Sequence, residues 1–275
     1  MSAAIDWHGR RRQPCPECAK GPRDTALSVT HDERGAVAHC FRCGYVETAP
    51  GAARPWIAKA APQAAQRHEV LSPYGRALWG VCRPLAGEAR AYLEARGCVI
   101  PPADGDLRWH PALRHPPSGY EGPALVALLT DAVDGTPRTL HRTWVQPNGK
   151  KAAVDPSRML LGGHRKAGAV CRLWANEAVT MGLGIAEGVE TALSLAHAFR
   201  PVWAAIDAGN VSAFPVLEGI ESIVIAADFD PAGIKAARAC AQRWADAGRE
   251  ARVILPDAFG ADLNDMAQGG ADARG

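Results

Sequence analysis

Three acidic residues in the C-terminal third of the chain follow runs of apolar residues. Glu187 follows one such run, and Asp228 and Asp230 follow another. Side chains two positions apart on a strand project to the same side, so the two aspartates point together. Carboxylates this close repel each other unless a divalent cation neutralises them. We therefore predict that Glu187, Asp228 and Asp230 hold Mg²⁺ that binds a triphosphate. The further candidates for this cluster are Asp262, Asn264 and Asp265.

Short apolar runs that alternate with helix-length segments must position these acids. The runs lie within residues 184–188, 202–206, 223–230 and 251–255. This alternation is typical of βαβ units and of a parallel sheet. Open α/β sheets carry their sites at the carboxyl ends of the strands. The sequence therefore predicts an α/β fold in which the acids meet at that edge.

Helix capping is an alternative role for the same acids. Asp230 precedes Pro231, which suits an N-cap, whereas Glu is not a favoured N-cap residue and Glu187 lies where a strand ends. We assign Asp265 to a cap or a surface position of a terminal helix, and Asp207 to the start of a loop. Both interpretations stay open for Asp230.

Four cysteines near the N-terminus form two CxxC pairs, Cys15 with Cys18 and Cys40 with Cys43, separated by 21 residues. Each pair can occupy a tight turn that directs both thiolates at one tetrahedral zinc ion. Two strand-like segments between the pairs complete the pattern of a zinc ribbon. The alternatives are four free thiols, or His39 as a substitute ligand, which we rank below Cys40.

The net charge of +2 is unevenly distributed. Residues 1–180 carry 24 Lys and Arg against 16 Asp and Glu, whereas residues 181–275 carry 7 against 13. A basic part joined to an acidic part predicts a polyanionic partner beside a cation-binding site. Ordinary surface solvation is the alternative explanation.

A basic segment in the middle of the chain carries the candidate contacts to that polyanion. Residues 124–145 have the pattern of a β-hairpin, and cationic and aromatic side chains alternate along and after its second strand. Such side chains suit phosphate contacts and base stacking. The candidates, including one in the zinc ribbon, are Arg42, Arg138, Arg142, Trp144, Lys150, Lys151 and Arg158. A solvated strand face is the alternative.

The sequence gives no sign of a membrane segment. No run approaches the roughly 18 apolar residues that a spanning helix needs, and the N-terminus lacks the apolar core of a signal peptide. We therefore expect a cytoplasmic protein. Residues 47–69 are rich in Ala and Pro without apolar periodicity, which predicts a linker.

The order of these motifs resembles a known family. Glu187-Gly188 followed by Asp228-Phe-Asp230-Pro-Ala-Gly233 resembles the Toprim domain of bacterial primases, type IA and type II topoisomerases and some nucleases. A zinc ribbon, a basic segment and this domain together resemble phage- and plasmid-type primases, over residues 14–45 and about 70–268. Ala261 stands where that family commonly has a Lys before the last acid, so a cation is missing there.

The resemblance implies four parts. They are a zinc ribbon with a basic N-terminal arm (1–46), the linker (47–69), a basic α+β template-binding segment (70–180) and a catalytic Toprim domain (181–270). In the last, helices flank a mostly parallel sheet. Glu187 is implied to serve in acid/base work or metal binding, Asp228 and Asp230 to bind Mg²⁺ or Mn²⁺, and Asp262 to be the later acidic position.

The implied activity is that of a DNA primase in a bacterial host cell. It would make short RNA primers on single-stranded DNA from ribonucleoside triphosphates, with structural Zn²⁺ and catalytic Mg²⁺ or Mn²⁺. Because no Walker-type motif follows the acidic region, we expect the replicative helicase to be a separate chain.

Two other functions fit the same residues. A metal-dependent Toprim nuclease would cleave nucleic acid without added nucleotides. A non-catalytic nucleic-acid-binding accessory protein would not need the three acids, so their presence argues against it. A topoisomerase fits poorly because it needs a nucleophilic tyrosine in a separate large domain. Too little chain surrounds Tyr45, Tyr74, Tyr92 and Tyr120.

Overall fold

The computed structural model of this chain describes residues 4–8, 12–19, 21, 24–32, 35–50 and 67–272. The chain divides into two compact units, Met1–Ala65 and Gln66–Gly275. Most of the predicted linker (51–66), and Arg10 and Arg11 of the predicted basic arm, lie outside the described residues. No helix within the described ranges is long and apolar enough to cross a membrane.

The N-terminal unit contains a small antiparallel sheet whose strands follow one another in chain order. They are β1 (Arg12–Gln13), β2 (Leu27–Asp32), β3 (Gly35–Cys40) and β4 (Val46–Pro50). Leu27, Val29, Ala36 and Ala38 alternate with more exposed residues and form its core together with Cys15 and Cys40. Strand β4 extends into the predicted linker because it pairs with β3 along its whole length.

The second unit begins with two helices and continues as strands and helices. Its elements are α1 (Pro73–Val81), α2 (Gly87–Ala95), β5 (Leu107–Arg114), β6 (Glu121–Asp131), β7 (Pro137–Trp144), β8 (Arg158–Leu160), β9 (Ala169–Arg172), a 3₁₀ turn (Asn176–Ala178), β10 (Gly182–Ala186), α3 (Val189–Leu195), β11 (Val202–Ala204), α4 (Ala208–Ala213), β12 (Ser222–Ala226), α5 (Pro231–Asp246), β13 (Glu250–Ile254) and α6 (Leu263–Asp272). The predicted hairpin is β6–β7, which pair antiparallel.

Within the described residues, nine strands of this unit form one sheet in the order β13-β12-β10-β11-β9-β6-β7-β8, with β5 also paired to β6. Strands β10 to β13 run parallel to one another, as the apolar runs predicted. Strand β9 is antiparallel to both β11 and β6. The sheet therefore continues across the boundary that we predicted near residue 180.

The period-two pattern of β10 places different side chains on the two faces of this sheet. Leu183 and Ile185 pack with α4 and α5 on one face. Ala186 packs with α2 and α3 on the other. Gly184 shares the second face, where a Cβ atom would come within 2.7 Å of Val202 Cγ1 in β11 and within 3.0 Å of Leu195 Cδ2 in α3. A small residue is therefore required for α3 to approach the sheet and place Glu187 at its edge.

Candidate functional site

The carboxyl edge of the parallel strands brings the predicted acids together. Ala186 of β10 and Ala226 of β12 are register partners, so Glu187 and Asp228 follow neighbouring strands at the same edge. The Glu187 carbonyl accepts a hydrogen bond from Ile206 N at 2.8 Å. Ile206 has a φ of 70°, which is rare for a β-branched residue. The backbone around Glu187 is thus fixed by the next strand along the sheet.

Two loops form an acidic cleft beside Glu187. Phe229 N donates to Ala261 O at 3.0 Å, and Gly260 N donates to Phe229 O at 2.8 Å. These hydrogen bonds join the loop after β12 to the loop before α6. The residues that line the cleft are Asp228, Phe229, Asp230, Gly260, Ala261, Asp262 and Asp265.

The half-buried carboxylates of this edge repel one another. Burial, followed by the charges of Asp228, Asp230 and Asp207, raises the pKa of Glu187 to about 7. Burial and the charges of Asp262 and Asp230 raise the pKa of Asp228 to about 6. Asp228 Oδ1 is buried without a hydrogen-bond partner among the described residues. An oxygen-seeking divalent cation would satisfy that atom and the repulsion together.

The acid oxygens do not form a closed cage. Among the residues described, a group of at least three ligand atoms within 4.8 Å of one another occurs only at four cysteines. Mg²⁺ in proteins is usually held by one or two carboxylates, together with water and substrate phosphates. The residues therefore fit a cation that is bound with its substrate, held by Asp228 together with Glu187, Asp230 or Asp262.

Helix capping, which stayed open for Asp230, is present in the structure. Asp230 Oδ1 accepts from Gly233 N at 2.7 Å and begins α5. Asp262 Oδ1 accepts from Asn264 N at 2.7 Å and Asp265 N at 3.0 Å, and Asp265 Oδ2 accepts from Asp262 N at 3.1 Å. Capping engages Oδ1 of Asp230 and Asp262 and leaves Oδ2 of each as the oxygen without a capping bond. Asp207 begins α4 as an N-cap rather than a loop.

A buried carboxylate that the sequence interpretation missed organises cations beside the acids. Glu190 Oε1 accepts from Tyr92 Oη at 2.7 Å and from Arg158 Nη2 at 3.0 Å. Burial alone would raise the pKa of Glu190, but Arg158, the Tyr92 hydroxyl and Lys151 lower it to about 2. The sequence signal for this role was a charged residue within the segment that forms the buried helix α3.

Two of the predicted cations lie within electrostatic range of this site, Arg158 of Glu187 and Asp228, and Lys151 of Asp262. The Arg158 charge lowers the pKa of both Glu187 and Asp228, although burial and the neighbouring acids prevail. Burial and then Arg158 lower the pKa of Lys151. Burial, again followed by Arg158, lowers the pKa of His141 to about 4, so this ring is neutral at pH 7. Arg158 and Lys151 thus bring positive charge next to the acidic edge, which is the arrangement that a metal-bound polyphosphate requires.

The structure argues against three of the other predicted nucleic-acid contacts, which are Trp144, Arg142 and Arg138. Lys150, by contrast, is exposed after β7. Trp144 is 0% exposed, and its Nε1 donates to Leu113 O at 2.8 Å, so it offers no face to a base. Arg142 is 4% exposed and donates to Leu160 O. Arg138 is bound to Asp131 at 2.9 Å. Strand β7 lies between β6 and β8 and is covered on both faces, which a period-two pattern alone does not reveal.

The four N-terminal cysteines converge as predicted. Cys15 Sγ lies 3.7 Å from Cys43 Sγ, and Cys18 Sγ lies 3.5 Å from Cys40 Sγ. A tetrahedral zinc ion with Zn–S bonds of about 2.3 Å separates its sulfur atoms by roughly 3.8 Å. The sulfur positions therefore fit Zn²⁺.

The turn after Cys40 supports a thiolate. Gly44 has a φ of 76° and donates to Cys40 O at 3.0 Å, which closes the turn. Burial raises the pKa of Cys40, but the N–H groups of Cys43 and Arg42 outweigh it and lower this pKa to about 7. A thiolate is the form of cysteine that binds zinc.

Arg42, predicted to contact nucleic acid, is engaged inside the zinc ribbon instead. Its guanidinium donates to Asp24 Oδ2 at 2.6 Å and Oδ1 at 2.9 Å, and to Cys18 O at 2.9 Å. It also approaches Cys18 Sγ at 3.9 Å. Arg42 therefore stabilises the turns that carry the cysteines, and its position does not support the prediction of a direct template contact.

Comparisons with known families agree with this geometry. Residues 182–272 match a family described as a Toprim domain. Residues 71–172 match a family described as a domain of unknown function (DUF7146). No curated protein matches the chain. The second unit therefore ends in a Toprim domain, and the acids Glu187, Asp228, Asp230 and Asp262 lie within it.

Solved primase structures are similar in fold. A DNA primase domain from Pseudomonas aeruginosa has 15% identity and a TM-score of 0.45, covering 74% of this chain and 77% of that one. The primase fragment of the bacteriophage T7 primase-helicase has 18% identity and a TM-score of 0.43, covering 95% of both chains. The zinc-binding and RNA polymerase domains of the Aquifex aeolicus primase have 16% identity and a TM-score of 0.41, covering 69% of this chain and 55% of that one.

Proposed function

We propose that this protein is a DNA primase, which synthesises short RNA primers on single-stranded DNA by metal-dependent nucleotidyl transfer. The observation that carries the proposal is the acidic cleft of the Toprim domain, where Oδ1 of the half-buried Asp228 carboxylate is buried and has no hydrogen-bond partner among the described residues. The cations Arg158 and Lys151 lie beside it. The four-cysteine cluster in the N-terminal unit adds the second element of the primase pattern.

The reaction joins two ribonucleotides. The oxygen of a ribose 3′-hydroxyl forms a bond to the α-phosphorus of a nucleoside triphosphate. The bond between that phosphorus and the bridging oxygen breaks, and its electron pair leaves with pyrophosphate. Glu187, whose pKa of about 7 matches the operating pH, is suited to accept the hydroxyl proton. Arg158 and Lys151 are suited to bind phosphate oxygens and to stabilise their charge.

A bound Mg²⁺ or Mn²⁺ would neutralise the triphosphate and lower the pKa of the attacking hydroxyl. Asp228 would hold it with Asp230 or Asp262. Zn²⁺ on Cys15, Cys18, Cys40 and Cys43 would stabilise the ribbon. The further partners that we propose are a single-stranded template and a separate replicative helicase, in the cytoplasm of a bacterial host.

Ribonucleotide incorporation tests this function. Purified protein is incubated with single-stranded DNA, labelled ribonucleotides and Mg²⁺ or Mn²⁺. Glu187→Gln is the variant, and Glu177→Gln, an exposed acid in the 3₁₀ turn, is the matched control. Short labelled products from the wild type and the control, but not from Glu187→Gln, are expected. Degraded template without product would select the nuclease, and DNA binding without either would select the accessory protein.

A further inference from the structure

An exposed aromatic ring contacts Phe229, one of the residues that line the acidic cleft. Phe259 is 67% exposed, more than any other Phe, Tyr or Trp side chain among the described residues. Its ring contacts Phe229 in an edge-to-face arrangement, with centroids 5.6 Å apart and planes at 68°. An aromatic ring left in water forfeits the hydrophobic stabilisation that burial would give it. Neither ring contributes to the buried clusters of this unit.

The backbone holds this ring beside the cleft. Phe229 lies between the acids Asp228 and Asp230, and its carbonyl accepts from Gly260 N, the residue after Phe259. Gly260 has a φ of 82°, a conformation that other residues rarely adopt. The same two loops therefore fix both the carboxylates and the aromatic pair.

The ligand that suits this combination is a nucleobase. A base is a flat π-system that is attached, through a sugar, to the phosphates that a cation at Asp228 would bind. Stacking of a base on an aromatic side chain is worth about 1–3 kcal/mol and tolerates any base. On the basis of the function proposed above, we infer that Phe259 is a stacking platform for a nucleobase whose phosphate is held at the acidic cleft. Phe229 supports the Phe259 ring from one side and is a positioning residue.

Two sources of nucleobase share this chemistry, the ribonucleoside triphosphate and the single-stranded DNA. Binding is measured separately for each by fluorescence anisotropy in Mn²⁺. The probes are a labelled ribonucleoside triphosphate, a labelled oligodeoxynucleotide, and the same oligonucleotide with abasic sites. The stacked base belongs to the nucleotide or to the DNA according to which of these probes loses affinity when residue 259 is changed.

The variants separate stacking from exposed apolar area. Phe259→Ala is expected to weaken binding of one base-containing probe about tenfold, and Phe259→Trp to preserve it. The abasic probe should bind wild type and Phe259→Ala equally. Tyr74→Ala is the matched control, because Tyr74 is an equally exposed ring (65%) on α1. Since residue 259 is exposed, its replacement should leave the melting temperature unchanged.

Several outcomes would overturn this inference. Equal affinity of Phe259→Ala and wild type for both base-containing probes excludes stacking. An equal loss on the abasic probe assigns the effect to the backbone or to charge. A wild-type dimer that Phe259→Ala dissociates would make the ring a contact between copies of this chain.

The same experiments distinguish an error in the proposed primase function from an error in the stacking proposal. Base-dependent binding at residue 259 without ribonucleotide incorporation would overturn the primase assignment and retain the platform. Ribonucleotide incorporation that Phe259→Ala does not change, together with equal affinity of wild type and Phe259→Ala for both base-containing probes, would overturn the stacking platform and retain the primase assignment. A wild-type protein that binds neither the nucleotide nor the oligonucleotide overturns both.

Discussion

Arg158 and Glu190 form an ion pair at 3.0 Å between β8 and α3. Glu190 is buried, whereas the Arg158 side chain is 40% exposed and extends to solvent at the site. Tyr92 of α2 donates to the same carboxylate oxygen. One buried acid therefore connects three elements and fixes the direction of a cation that acts on Glu187 and Asp228.

Replacing Glu190 with Gln should destabilise the protein by about 1–3 kcal/mol, because Arg158 loses its charged partner while remaining partly solvated. Urea denaturation at pH 7 measures the effect. Glu94→Gln is the matched control, since Glu94 forms an exposed ion pair with Arg90 on α2. The control should cost no more than about 0.5 kcal/mol. Equal effects of the two changes would remove the special role of Glu190.

Asp106 predicts a pH dependence of stability. Burial raises its pKa to about 6, despite the nearby Arg172 guanidinium. Between pH 4 and 6 the folded protein therefore holds a proton that the unfolded chain has lost. The free energy of unfolding contributed by this group falls as pH rises through that window, by at most about 3 kcal/mol, and is constant above it.

Asp106→Asn removes this titration. The variant should gain stability relative to wild type as pH rises from 4 to 6, measured by urea denaturation at several pH values. Asp104→Asn is the control, because Asp104 is exposed two residues away. If the difference in the free energy of unfolding between wild type and Asp106→Asn does not vary with pH, then burial does not raise the pKa of the Asp106 carboxyl.

The cysteine cluster predicts one zinc ion per chain. Cys40→Ser removes a ligand, so zinc measured by inductively coupled plasma mass spectrometry should fall from about one equivalent to a small fraction. Cys82→Ser is the control, since Cys82 is buried in the second unit and its Sγ donates to Leu78 O, which a hydroxyl can also do. Unchanged zinc in Cys40→Ser would refute the four-cysteine assignment.

Local sequence patterns predicted the parallel strands and the acidic edge well. Short apolar runs that end at Ala186 and Ala226 and alternate with helix-length segments predict buried parallel strands, and the acids that follow such strands lie at one edge of the sheet. The patterns failed for Trp144 and Arg142, since period two does not tell whether both faces of a strand are covered. Glu190 was missed because its partner Tyr92 lies 98 residues away. Tertiary contacts, rather than spacing, determine these three positions.

Asp228 offers the sharpest test of the acidic cleft. Its Oδ1 is buried without a partner among the described residues, so replacing the carboxylate with an amide removes repulsion and also removes a ligand. Asp228→Asn should therefore bind Mn²⁺ at least about tenfold more weakly at pH 7.5, by calorimetric titration, without loss of thermal stability when metal is absent. Asp257→Asn, an exposed acid before the same loop, should bind Mn²⁺ as the wild type does. A destabilised Asp228→Asn protein with unchanged affinity for Mn²⁺ would mean that Asp228 is structural and that the cation is held elsewhere.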